Sequence, residues 1–224
     1  SVCIKEYDLD MDEEITIIDS NTRNEKVKNF FINNKKNLIL GTSILIIIIV
    51  GYFTFEELKK RNKIELANQF NLSVINFDIK DKQKTITELT NLVKKNDATY
   101  SPLALYFLID NNLVDNTTDI NALFNELINE TNLDKETRNL IIYKKALFSS
   151  DIVSENDLLQ ILNPIINSES IWSSHALYLI AEYFYSKDQK QKAVEFFNQI
   201  LLLPNANDGI KRESQKRLNR DLGE

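Results

Sequence analysis

Residues 38–55, reading LILGTSILIIIIVGYFTF, form an uncharged run that limits this chain more than any other feature. At about 1.5 Å rise per residue the run measures roughly 27 Å as a helix, near the ~30 Å hydrocarbon thickness of a bilayer. It is apolar on every face, with no polar stripe at a 3.6-residue period, so a half-buried helix of a soluble core does not fit it. A cleaved leader does not fit either: 37 residues precede the run, and no small-x-small cleavage site follows it. Tyr52, Phe53 and Phe55 suit the interfacial end of a span, Tyr52 most specifically. The expectation is one transmembrane helix over residues 38–55, with a tail over 1–37 and a soluble part over 56–224.

Orientation rests on flanking charge. Arg23, Lys26, Lys28, Lys35 and Lys36 precede the run; Lys59, Lys60, Arg61 and Lys63 follow it. The nearest flank breaks this near-tie, because Lys35-Lys36 stand before the span and Glu56-Glu57 after it. The positive-inside rule then keeps the tail in the cytoplasm and exports the C-terminal bulk. Met11, the one methionine, followed by Asp12-Glu13-Glu14, resembles a start site, and Cys3 upstream of it is given no role.

Composition excludes several kinds of chemistry. One Cys and one His leave no disulfide framework, no Cys-rich zinc site and no His-pair metal centre. Four Gly are too few for a phosphate-cradling loop. A net charge of −6 argues against a nucleic-acid binder. The chain is therefore expected to be no enzyme, to carry no cofactor, and to take neither nucleic acid nor a small-molecule substrate. The 27 Asn, with many Lys and Ile, read as genome drift, and the three Asn-X-Ser/Thr sequons as its by-product.

After the span the apolar residues recur at three and four. Ile64, Ala67, Phe70, Val74 and Phe77 mark a helix over 58–77, and Ile86, Leu89 and Val93 one over 85–95. Further helices are expected over 102–110, 119–129, 137–148, 154–166, 172–185, 190–203 and 208–222. Ser154 is the expected N-cap of its helix, with Asp157 in the first turn. The fold class is all-α: an N-terminal transmembrane helix, then a tetratricopeptide repeat-like α-solenoid of about four helix pairs.

The repeat rests on small residues at helix crossings. Ala181 and Ala193 face each other within AEYFYSKDQKQKAVEFFNQILLLP, with Phe184, Phe197 and Ile200 around them and Pro204 closing the second helix. Ala146 and Leu158 stand 35 residues upstream of that pair, close to the tetratricopeptide period. Ile109 and Ala122 fit the earlier pair only with a loop adjustment. The alternative is a non-repeating helical bundle. In an array, the first helix of each pair lines a concave face. Tyr106, Tyr143, Leu147, His175, Tyr178, Glu182 and Tyr185 would project there and offer a protein-binding surface. Each tyrosine could instead pack between repeats. Lys211, Arg212, Lys216, Arg217 and Arg220 are read as the polar face of a capping helix, with a phospholipid or nucleic-acid patch as the alternative.

The layout resembles the ancillary Sec-translocon subunit family of bacteria (YfgM-type), over about residues 12–222. The segments that carry the likeness are EKVKNFFINNKKNLILG at 25–41, NDATYSPLALYFLIDNNLVDNTTDINALFNELI at 96–128 and SKDQKQKAVEFFNQIL at 186–201. The chain departs from the pattern in its few Ala, with Leu158 and Asn121 where small residues are usual. The resemblance implies an inner-membrane protein with a periplasmic repeat domain that associates with the SecYEG translocon. It also implies contact with periplasmic chaperones or unfolded exported chains. A second expectation, of another kind, is an envelope or cell-division adaptor that tethers other proteins through its array.

Overall fold

A computed structural model describes residues 23–78 and 82–222, so Cys3, Met11, the acidic stretch at 12–14 and part of the 78–81 turn lie outside the described residues. The described residues are helical throughout, with no strand among them. They fall into two compact units, which divide between Lys63 and Ile64.

In the first unit, residues 23–33 are helical and α1 (Lys35–Ile75) begins after a single turn residue, Asn34. Residues 38–55 sit inside α1, and none of its apolar window is buried against protein. Ile46 and Ile47 are 59% and 69% exposed, which a core helix would not allow. The hydroxyls are satisfied within the helix. Thr42 Oγ1 donates to the Leu38 carbonyl at 2.9 Å, Ser43 Oγ to Ile39 at 2.8 Å and Thr54 Oγ1 to Val50 at 2.8 Å. Such back-bonding leaves none of these three hydroxyls in need of water, as suits a hydrocarbon environment.

The helix expected to begin at residue 58 has no separate start, because α1 runs unbroken to Ile75. Neither Pro nor Gly occurs between Tyr52 and Ile75 to end it. Glu57 and Arg61 (2.9 Å), then Glu65 and Gln69 (3.1 Å), add i,i+4 links.

The second unit contains the end of α1 and eight further helices: α2 (Lys82–Val93), α3 (Tyr100–Asp110), α4 (Thr117–Glu130), α5 (Lys135–Ser149), α6 (Glu155–Ile166), α7 (Ser173–Ser186), α8 (Lys190–Leu202) and α9 (Asp208–Arg220). Their starts follow local capping chemistry. Asn116 Oδ1 accepts from Thr118 N, Asp134 Oδ1 from Thr137 N and Asn207 Oδ1 from Gly209 N, each at 2.9 Å. Ser154 caps α6 as expected: its Oγ accepts from Asp157 N and donates to the Asp157 carboxylate at 2.6 Å.

Helix ends show how a chain with four Gly makes tight turns. Asn96, Asn112 and Asp188 take φ of 55°, 48° and 58°, the left-handed conformation that glycine usually supplies. After two of them the next amide reaches back to close the helix, Leu113 N to Leu108 O and Gln189 N to Phe184 O, both at 2.9 Å. Asn96 does more: its side chain donates to Glu126 and accepts from Thr131, joining the α2–α3 turn to the end of α4. Asp188 makes no such link, so Asp188→Gly is expected to stabilise the fold by about 0.5–1 kcal/mol by removing left-handed strain. A urea melt of the two proteins checks this, with an unchanged or lower midpoint as the contrary result.

Consecutive helices pack in order, most extensively α7 on α8, α2 on α3 and α5 on α6. Helices two apart also touch: α2 with α4, α5 with α7, and α7 with α9. Two apolar clusters result. One runs from Leu66 to Ile141 and the other from Ile142 to Ile200, and Ile128 packs against both. Ala146, Ala181 and Ala193 are fully buried, and Phe184 and Phe197 fill the space beside them. Ala122, by contrast, is exposed and Ile109 half-buried. The small buried residue of α3 is Ala104, five positions before Ile109.

Polar links recur near one spacing. Ser170 Oγ donates to Glu136 across 34 residues at 2.7 Å, Thr131 Oγ1 to Asn96 across 35 at 3.2 Å, and Arg217 to Glu182 across 35.

Candidate protein-binding face

The seven residues singled out above fall on α3, α5 and α7, and the structure gathers them into three groups. Tyr106, Tyr143 and Tyr178 stand 37 and 35 residues apart, one on each of the three helices. All three are half-buried, and each meets a group from a following odd-numbered helix.

The first group joins α3 to α5. The Lys144 ammonium lies 4.4 Å from the Tyr106 ring centre, close enough for a cation–π contact. With Ile109, Phe124, Leu147 and Phe148 they line a cavity of about 160 Å³. Leu147 is 50% exposed at its mouth. Burial pushes the Tyr106 phenol up to about 12. The folded state therefore holds that proton after the unfolded chain, near 10, has lost it. Stability is expected to be intact below pH 10 and to fall as pH rises from 10 towards 12. Absorbance titration of the phenolates, compared between wild type and Tyr106→Phe, checks the assignment. Loss of a transition near 10, with the late one retained, would assign the late proton elsewhere.

The second group joins α5 to α7. Tyr143 stacks on Trp172, with ring centres 6.1 Å apart and planes at 18°. His175 meets the edge of Tyr143 at 6.0 Å and leans on Trp172 at 5.2 Å. Its Nδ1 is buried with no hydrogen-bond partner, as is Nδ2 of Asn139. Burial holds the His175 imidazole below its ordinary range, and the Ile171 carbonyl opposes this only in part. His175 is thus a member of an aromatic cluster with Tyr143 and Trp172. Trp172 was not singled out from sequence, although its place three residues before His175 on one helical face is the signal that could have found it.

The third group joins α7 to α9. Arg217 donates from Nε and Nη2 to the two oxygens of Glu182, at 2.7 and 2.6 Å, and from Nη1 to Asp221 at 2.7 Å. Its guanidinium lies 4.9 Å from the Tyr185 ring centre. Burial first, then the Glu182 carboxylate, raise the Tyr178 phenol, against the opposing charge of Arg217. Tyr178 also sets its ring edge-on to Phe197 at 5.5 Å. Glu182, Tyr185 and Tyr178 are therefore engaged by the last helix. Lys216 pairs with Glu213 at 3.1 Å and Arg220 with Asp221 at 2.7 Å, so much of the basic charge of α9 is matched by carboxylates of this unit. Among the described residues no three His, Cys, Asp or Glu side chains gather within reach of one metal ion.

The described residues are those of an all-helical protein, with one helix among them long and apolar enough to cross a membrane. No family model, curated protein or solved structure matches the chain.

Proposed function

We propose that this chain is a membrane-anchored protein-interaction module. Residues 38–55 cross the bilayer, and α2–α9 with the end of α1 form a tetratricopeptide-like array whose odd-numbered helices present the binding face. The observation that carries the reading is the pairing, in one chain, of an apolar helical window with none of it buried and helices joined by polar links at a spacing near 35 residues. Contacts between helices two apart and the buried Ala146, Ala181 and Ala193 support the array. Anchoring raises the local concentration of the face at a membrane partner, so weak contacts suffice.

In this reading the module is an ancillary subunit of the Sec translocon that touches exported chains or periplasmic chaperones. Support comes from the resemblance of residues 25–41, 96–128 and 186–201 to YfgM-type proteins. Lys35-Lys36 before the span and Glu56-Glu57 after it support a cytoplasmic tail and a periplasmic array.

A photo-crosslinker placed at Leu147 in the full-length protein tests the partner. Leu147 is the better site because Tyr178 is half-buried against Phe197. Capture of translocon subunits or periplasmic chaperones in cells is the expected result. Capture of cell-wall or division proteins instead would move the assignment to an envelope adaptor. A reporter after Glu224 that reads cytoplasmic would reject the export role.

A further inference from the structure

The segment just before the span has chemistry that an interaction module does not use. Residues 23–36 hold five basic side chains, Arg23, Lys26, Lys28, Lys35 and Lys36, against one acidic, Glu25. They also hold large apolar side chains with no protein against them: Val27 is 51% exposed, Phe30 56%, Phe31 57% and Ile32 60%. On a helix turning about 100° per residue, Val27, Phe30 and Phe31 fall on one arc. Lys28 borders that arc on one side and Lys26 on the other, with Arg23 within it at the first described turn. An apolar strip between lysines is the pattern of a helix lying in a bilayer surface, where stems stay near the acyl chains and ammonium groups reach the phosphates.

Position supports the same occupant. Phe31 precedes Leu38 by seven residues, so a straight upright continuation would lift it about 10 Å above the hydrocarbon edge. There its ring would stay in water. Laid along the surface, the segment places both phenylalanines at the acyl boundary. Asn34 is where the regular helix is interrupted, and it remains tied by Asn34 Nδ2 to the Phe30 carbonyl at 3.0 Å. A shallow groove of about 390 Å³, lined by Phe31, Ile32, Lys35, Leu38 and Ile39, carries the apolar surface on into the span.

We propose that residues 23–36 form a collar that binds anionic phospholipid, with the phenylalanines at the acyl boundary and the lysines on the headgroup phosphates. The proposal rests on the membrane span assigned above. Charge complementarity selects the lipid: the segment carries five cations against one carboxylate, and each lysine near an anionic surface contributes about fivefold in affinity.

The test uses the full-length protein reconstituted with phosphatidylcholine alone or with phosphatidylcholine and phosphatidylglycerol, then analysed by native mass spectrometry for retained lipid. Wild type is expected to retain phosphatidylglycerol in preference. The variant with Lys26→Gln, Lys28→Gln, Lys35→Gln and Lys36→Gln is expected to retain both lipids alike. These side chains are exposed, so circular dichroism of the variant should be unchanged. Wild type that stays in the bilayer without preference, or a variant that keeps the preference, overturns the collar and leaves the span intact. Wild type extracted from vesicles by alkaline carbonate overturns the span, and the collar with it.

Discussion

Lysine at both Ile46 and Ile47 is expected to move the chain from the membrane pellet to the carbonate-soluble fraction. These two residues stand at the middle of residues 38–55, with side chains 59% and 69% exposed, so no protein contact would shelter the new charges. A lysine at the centre of a spanning helix costs about 2.5–3.5 kcal/mol on insertion scales, and each lost isoleucine adds about 0.5 kcal/mol. Two together oppose insertion by about 6–8 kcal/mol, against a favourable sum of the same order from the remaining apolar residues. Near the end of the run, lysine at Phe55 should leave the protein in the pellet, because its ammonium can reach the interface. A double variant that still sediments with membranes, while the array stays folded, would mean that something other than residues 38–55 holds the chain there.

The other large effect concerns the α7–α8 crossing. Phe197 is fully buried, with Tyr178 edge-on at 5.5 Å and Ala181 and Ala193 in the same cluster. Its truncation to alanine removes most of a large side chain from a close-packed site, which typically costs 3–5 kcal/mol. That is about half the stability of an ordinary domain. The midpoint of thermal unfolding should fall by about 10 °C or more. Leu202 is the control: it is 82% exposed, and Leu202→Ala should change stability by less than about 0.5 kcal/mol. A Phe197 variant that melts with wild type would show that this crossing is not the centre of the second core.

Most helices were legible because their evidence is local. Apolar residues at three and four mark a buried stripe, and Ser154 followed by Asp157 marks a helix start, whatever lies around them. Bounds near 137–148, 154–166 and 190–203 fell within two residues of α5, α6 and α8. The end of α1 was misplaced for an equally local reason. A drop in hydrophobicity after Phe55 looks like an end, but it disrupts no backbone hydrogen bond, and no Pro or Gly interrupts the chain between Tyr52 and Ile75.

The face was legible only in part. Tyr106, Tyr143 and Tyr178, singled out from the sequence, fall on α3, α5 and α7. That Arg217 would close over Glu182 and Tyr185, and that Trp172 would stack on Tyr143, depends on partners 29 to 35 residues away. No side chain announces such a partner in its own neighbourhood.

The sequence by itself determined the apolar run, the all-helical class and the approximate place of most later helices, since each follows from chemistry within a few residues of chain. Only the tertiary structure decided which charges neutralise one another, which tyrosines are covered and where the two cores meet. Those outcomes depend on how helices approach through space, and packing distance is not written in the order of residues.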